Sequence, residues 1–354
     1  MRVIAVVSPL GGSGRTTLVA NLASLGARQG QSILAIELCA QNLLGMHLGM
    51  PRPASQGWAA LAATGSWWAD GSFDNTDGVG VLPFGPTTPD TITTLHQLLA
   101  ANPQWLQDQL ALLDIPEDCT VLLDTPQWPS PLAQAALRCA DAVLVAMEAS
   151  ARGCASMDTV RAMLQASPAA PNAQGFAVTR FDPRRASHRE ALTTLRQQWG
   201  SQLLPYTVHE DENLSRALAA SQSVNSVAPH AQSAHDLQGI FHWLSAVSPV
   251  QAQPSPATEV AAPWRIHALA ASRRPRRPLS ERVYKHLPTK CWDGSESGWR
   301  LSLVLPGGCG CGAALCCRPR RSALYALGCC VQCGVYGQAS AGRCAGSGGG
   351  WHSH

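Results

Sequence analysis

Two rhythms of apolar and polar positions alternate along the first 245 residues. Short, nearly continuous apolar runs at Val3–Val7, Ser32–Leu38, Val79–Pro83, Cys119–Leu123, Ala142–Met147 and Gly175–Thr179 predict strands. Runs with so few polar interruptions suit strands covered on both faces. Between them, apolar residues at helical spacing predict helices over Thr16–Gln29, Thr91–Ala101, Trp105–Leu113, Leu132–Cys139, Ala155–Gln165, His188–Trp199 and Ala234–Ser245. Pro103 separates the second and third of these. Leu43–Gly49 suits a turn or short helix, while Gly57–Asp77 follows neither rhythm. The alternation predicts an α/β fold, a doubly wound and mostly parallel sheet. Such sheets bind ligands beyond the C-terminal ends of their strands. Arg15, Glu37, Asp124 and Thr179 all fall at or just past predicted strand ends.

The first strand runs into Gly11-Gly12-Ser13-Gly14-Arg15-Thr16-Thr17, and a helix follows. Strand, glycine-rich loop and helix in that order form a phosphate-binding P-loop. Glycine tolerates the positive φ that turns successive N–H groups toward one concavity, and the helix adds the positive end of its dipole. Thr16 can place its hydroxyl on a Mg²⁺ that bridges phosphates. The Walker pattern GxxxxGK[ST] is nearly met from Pro9 to Thr16, with Pro9 in place of the first glycine and Arg15 in place of the lysine.

Composition divides the chain. From Arg265 to His354 there are 13 basic and 3 acidic residues, a charge of +10, so the first 264 residues carry −7. The two lysines are Lys285 and Lys290, so no lysine in the body can replace the one missing from the loop. An acidic body disfavours nonspecific binding of nucleic acid. Cys39, Cys119, Cys139 and Cys154 are scattered through the body and read as small core residues in a reducing cytosol. The other nine cysteines follow Thr289; six of them fall in adjacent or CxC pairs, which do not repeat the CxxC spacing of a zinc site. These shifts divide the chain into a nucleotide-binding domain (1–248), a Pro/Ala/Gln-rich linker (249–271) and a basic, Cys/Gly-rich tail (272–354). The tail reads as disordered or as an abnormal terminus such as an out-of-frame translation. Its SRRPRRP run reads as a basic segment without a specific role. No secretory leader or membrane-spanning apolar segment is expected. Trp67, Trp68, Trp105 and Trp199 are expected to pack in the core, and His188 and His209 to lie in solvated loops. Asp182 with Arg184 and Arg185 suits a base or partner contact and a solvated charged loop equally.

Six segments, in order, resemble the ParA/MinD family of dimerising ATPases with a deviant Walker A loop. They are LGGSGRTT (10–17), ILAIELCAQNLLG (33–45), VLLDTPQWPS (121–130), CADAVLVAMEAS (139–150), FAVTRFDPR (176–184) and LLPYTVHEDENLSRALAASQSV (203–224). WLQDQLALL, CTVLLDTPQWPSPL and the RFDPR strand end resemble the cellulose-biosynthesis branch of that family, BcsQ (also called YhjQ). The resemblance implies ATP and Mg²⁺ as ligands. It implies that Gly11, Gly12, Ser13, Gly14, Arg15, Thr16 and Thr17 hold the phosphates, with Thr16 on Mg²⁺ and Asp124 reaching it through water. Glu37 stands at the first switch aspartate, Asn42 is placed for switch contacts, and Thr179 and Arg180 stand near an adenine-contacting pair. No catalytic residue is assigned; Glu37 and Asp124 are the candidates. Three positions depart from the family pattern: Leu10 for the lysine that reaches a partner's phosphates, Arg15 for the lysine in cis, and Cys39 for the second switch aspartate. The resemblance therefore implies an ATP-binding switch with weak or absent hydrolysis. It would act as a homodimer or with a small accessory protein, in the cytoplasm and at the inner membrane, on the cellulose synthase machinery. The alternatives are a working ATPase that positions division, chromosomal or surface machinery, and a scaffold that binds no nucleotide.

Overall fold

Strands β1 (Arg2–Val7), β2 (Ile33–Glu37), β4 (Gly80–Leu82), β5 (Thr120–Asp124) and β6 (Ala142–Glu148) form where apolar side chains on both faces favour an extended, buried backbone. With β3 (Phe73–Asp74), β7 (Gln174–Phe181) and β8 (Leu203–His209) they make one sheet, in the order β3-β4-β2-β5-β1-β6-β7-β8. Every pairing is parallel except that of the edge strand β3 with β4. The structure is a computed structural model and describes residues 1–247; the 249–271 linker and the 272–354 tail lie outside the described residues. Among the described residues, no helix is long and apolar enough to cross a membrane.

Alternate residues of each strand feed two cores. On one face, Val3, Ala5, Val7, Val121 and Leu123 pack with residues of helices Trp58–Ala63, Pro89–Ala101, Pro131–Cys139, Met157–Leu164 and Ala186–Trp199. On the other, Ile4, Val6 and Leu122 pack with helices Arg15–Arg28 and Gln232–Ala246. This is the doubly wound arrangement that the alternation of strands and helices predicts. The strands share one register at their C-terminal ends. Val6 pairs with Asp124 across β1 and β5, Glu37 pairs with Asp124 across β2 and β5, and Glu148 pairs with Thr179 across β6 and β7. One rim therefore collects the candidate residues.

Gly57–Asp77, unreadable by periodicity, holds a helix at Trp58–Ala63, a 3₁₀ turn at Trp68–Gly71 and the two-residue strand β3. Each element is too short to show a period. Aromatic packing organises the segment instead: Trp58 meets Phe84 at 5.1 Å and Trp68 and Trp105 at 6.0 Å. Trp199 stacks on Phe176 at 4.1 Å. The four tryptophans expected in the core do pack there: Trp68 and Trp199 are buried, and Trp67 and Trp105 lie partly buried against them. The strand β8 was not expected; Pro205 and Tyr206 are exposed in its middle and interrupt the apolar run. Edge strands tolerate proline because one side of their ladder is free. The expected helix Ala155–Gln165 is found as Met157–Leu164, and a separate helical turn, Ala151–Ala155, precedes it.

Candidate nucleotide site

The glycine-rich loop joins β1 to the helix Arg15–Arg28 across the C-terminal rim of the sheet. Gly12 and Gly14 have φ of 75° and 81°, where a Cβ is strained, so the loop needs glycine at both positions. Gly14 caps the helix, and no side chain satisfies the first N–H groups. Those donors and the helix dipole form an anion site. The turn after β5 braces the loop. Gln127 Nε2 donates to the Pro9 carbonyl at 2.9 Å and the Trp128 N–H to the Ser8 carbonyl at 3.1 Å.

Thr16 and Asp124, 108 positions apart, meet on this rim: Thr16 Oγ1 donates to Asp124 Oδ2 at 2.8 Å. Asp124 is fully buried, and its Oδ1 has no hydrogen-bond partner. Burial raises its pKa from 3.8 to about 6, against the opposing pull of the Thr16 hydroxyl and the nearby Arg15. A hydroxyl bonded to a buried carboxylate with one orphaned oxygen fits the ligand set of a hard, oxygen-seeking cation such as Mg²⁺. Ser13 Oγ is also buried and unpartnered in the loop.

The remaining candidates take more varied positions. Arg15 is half-buried, and its Nη1 donates back to the Ser8 carbonyl at 3.2 Å. Burial lowers its pKa, and Asp124 and Cys39 partly offset that. Glu37 lies beside Asp124 in the register, but its carboxylate is engaged elsewhere. Oε1 accepts from the N–H groups of Leu43 (2.6 Å) and Leu44 (3.0 Å), and Oε2 from that of Phe84 (3.3 Å). Burial raises its pKa from 4.5 to about 7, with those bonds opposing. Asn42 is likewise committed, donating to the Ala54 carbonyl at 2.8 Å and accepting from the Gly85 N–H at 3.1 Å. Glu37 and Asn42 thus tie the 42–47 segment to the turn after β4. Thr179 is buried, and its hydroxyl points to the carbonyls of Ser13 (2.8 Å) and Met147 (3.2 Å), which makes it a prop beneath the loop. Arg180 is exposed, in the left-handed region at φ 55°, with Nη1 3.5 Å from the Gly12 carbonyl and Nη2 3.1 Å from Glu210 Oε1.

A cleft of about 370 Å³ opens beside the loop. Its floor includes Gly12–Leu18, and its walls include Cys39, Leu43, Thr179, Arg180, His209 and Leu214. Burial raises the pKa of the Cys39 thiol, so it stays neutral at physiological pH. His47, another wall residue, is buried and its pKa falls to about 4, so it too is neutral. Contrary to expectation, His188 and His209 are not solvated loop residues. His188 is buried in the helix Ala186–Trp199, and its Nδ1 accepts from the Asp182 N–H at 3.1 Å. His209 ends β8, partly buried, with Nδ1 2.8 Å from Asp236 Oδ2. Each has a partner on an adjacent element that local sequence does not reveal. Asp182 binds Arg184 at 2.9 Å and Arg185 at 3.4 Å in its own turn. The wall from β8 and helix Glu212–Ala219 was not assigned from sequence, although its residues lie in the 203–224 segment.

The model of a family described as cellulose biosynthesis protein BcsQ matches residues 1–244. A cellulose biosynthesis protein BcsQ of Escherichia coli K12 is 27% identical over 259 residues, which cover 69% of this chain and 94% of that protein. A chromosome-partitioning ATPase, Soj, of Thermus thermophilus is 30% identical over 244 residues, 66% of this chain and 92% of that protein. Among solved structures, the septum site-determining protein MinD of Pyrococcus horikoshii OT3, complexed with Mg-ADP, aligns with a TM-score of 0.58. The two are 18% identical, and the alignment covers 71% of this chain and 99% of that one.

Proposed function

The chain belongs to the BcsQ family of cellulose-biosynthesis proteins, and from that premise we propose that it is a nucleotide-dependent switch that binds ATP with Mg²⁺ and hydrolyses it slowly or not at all. One observation carries the reading. The binding half of a P-loop site is assembled, with uncapped loop N–H groups and the Thr16–Asp124 pair with its orphaned oxygen. The catalytic half is thin. Leu10 brings no charge to the loop, and Cys39, a cleft residue, is a neutral thiol where the family places a carboxylate. Phosphoryl transfer depends on positioning and on charges placed around the moving phosphoryl group, and a lost cation typically slows it ~10³–10⁵-fold. Mg²⁺ at Thr16 and Asp124 would neutralise phosphate charge. This chain's own part is to hold the loop open for the anion with Gly12 and Gly14 and to brace it from Thr179, Gln127 and Trp128.

In this reading the chain works in the cytoplasm and at the inner membrane face, as a homodimer or with a small accessory protein, on assembly or placement of the cellulose synthase machinery. A second reading, a cycling ATPase, is favoured by the intact Thr16–Asp124 pair. Parallel measurement of ATP turnover and of ATP affinity separates the two. Micromolar binding with turnover at least a hundredfold below that of a relative with both lysines supports the switch; comparable turnover refutes it.

A further inference from the structure

An ion pair is drawn across the mouth of the cleft. β7 and β8 run parallel, but their register shifts between Val178 and Phe181, an irregularity of the kind that re-aims the side chains within it. Arg180 sits there with φ 55°, the left-handed region that a bulky residue seldom occupies. Backbone held in such a region at the edge of a site points to a role in that site. The side chain turns back over the loop. Nη1 lies 3.5 Å from the Gly12 carbonyl oxygen, and Nη2 donates to Glu210 Oε1 at 3.1 Å. Glu210 follows β8 and lines the cleft, so Arg180 links the floor at Gly12 to the β8 wall. The Glu210 N–H donates to the Phe181 carbonyl at 2.9 Å, which fixes the carboxylate's base, and Arg185 Nη2 stands 3.9 Å from its Oε2. The Arg180 and Glu210 side chains are 53% and 40% exposed. The pair therefore lies on the solvent side of the cleft, where it can part without disturbing the core.

We propose that Arg180 and Glu210 form a strap across the cleft that must part before a nucleotide enters. The proposal rests on the nucleotide reading above. A strap and a simple attraction differ in sign. A free arginine beside an anion site draws the anion in and speeds its arrival. An arginine engaged by a carboxylate has little net charge to offer, and the pair covers the floor that the phosphates must reach. Arg185 stays beside Glu210 when Arg180 leaves, and so offsets the carboxylate that is uncovered.

The test is stopped-flow binding of a fluorescent, non-hydrolysable ATP analogue to the full-length protein with Mg²⁺. Arg180→Ala should speed association about three- to fivefold, the scale that an exposed ion pair can hold, although it removes a cation from an anion site. Glu210→Gln should also speed association, and the double variant should gain less than the product of the two single gains. Arg180→Lys, which can re-form the pair, should stay within about twofold of wild type. Slower association of Arg180→Ala would reveal an attracting or holding contact, and an unchanged rate a pair without influence on entry. Gains that multiply in the double variant would reveal two independent effects; each of these results overturns the proposal. A wild-type protein that binds no analogue would refute the nucleotide reading itself and the strap with it, an outcome distinct from all of these.

Discussion

Replacing Asp124 by asparagine keeps the shape of the side chain and removes its charge, so it isolates what that buried charge does. The carboxylate is fully buried, accepts one bond from Thr16 and leaves Oδ1 unpartnered. Burial lifts its pKa from 3.8 to about 6. For a carboxylate raised in the folded state, ionisation costs folding energy. The cost is absent below the unfolded pKa, grows as pH climbs from 3.8 to about 6 and is complete above that. A shift of about two units corresponds to about 3 kcal/mol at pH 8. Asparagine avoids this cost but must bury an amide NH₂, which loses about 1–2 kcal/mol if it finds no acceptor. The ligand-free Asp124→Asn protein should therefore be about 1–2 kcal/mol more stable than wild type at pH 8, or several degrees in Tm. The advantage should vanish by pH 4. The same variant should lack the thermal stabilisation that the proposed function expects Mg²⁺ with ATP to give the wild type. Thermal unfolding at pH 8 and pH 4, with and without ligand, reads all three. If the ligand-free variant is less stable than wild type by the same margin at both pH values, the charge is already well compensated and the argument fails.

Glu37→Gln removes the ionisation cost of the buried carboxylate but leaves one of the Leu43, Leu44 and Phe84 N–H groups without its acceptor, a loss of about 1–3 kcal/mol, so any deficit against wild type should be largest at low pH and shrink as pH rises. The wild-type carboxyl, raised from 4.5 to about 7, makes the protein less stable as pH rises through that window; denaturant melts should show the slope flattened in the variant. Thr179→Val should lower Tm and weaken nucleotide binding, since the hydroxyl that props the Ser13 carbonyl is lost at nearly constant volume; Thr179→Ser, which keeps the hydroxyl, should restore most of both. Leu10→Lys combined with Cys39→Asp should raise ATP turnover at least a hundredfold with little change in affinity, measured by phosphate release.

The fold was legible because its strands are buried on both faces and its helices are amphipathic, so local pattern and tertiary environment agree. β8 broke that agreement. It is an edge strand whose exposed Pro205 and Tyr206 hide the apolar residues on either side. The Gly57–Asp77 segment failed for another reason, since Trp58, Trp68 and Phe84 hold it through contacts with one another and not through a period. In the site, the loop glycines, Thr16 and Asp124 could be found because the phosphate-binding loop and the end of an apolar strand have fixed local spelling. His209 and the role of Thr179 could not. Each reaches its partner across the sheet, and strand order decides those meetings.

That division underlies the proposal that the site binds nucleotide better than it turns it over. The parts that hold an anion are mostly backbone: a loop forced by Gly12 and Gly14, and a helix start with no side chain on its N–H groups. Substitutions at positions 10, 15 and 39 change side chains and leave those donors in place. Turnover needs charges placed around the moving phosphoryl group, and the sites that would supply them have been altered or engaged. Arg15 donates to the carbonyl of Ser8, Glu37 is spent on three backbone amides, and Cys39 stays a neutral thiol. In the proposed reading the loop's anion site is thus set by backbone geometry, whereas the side chains that hydrolysis would call on are held by other bonds or carry no charge.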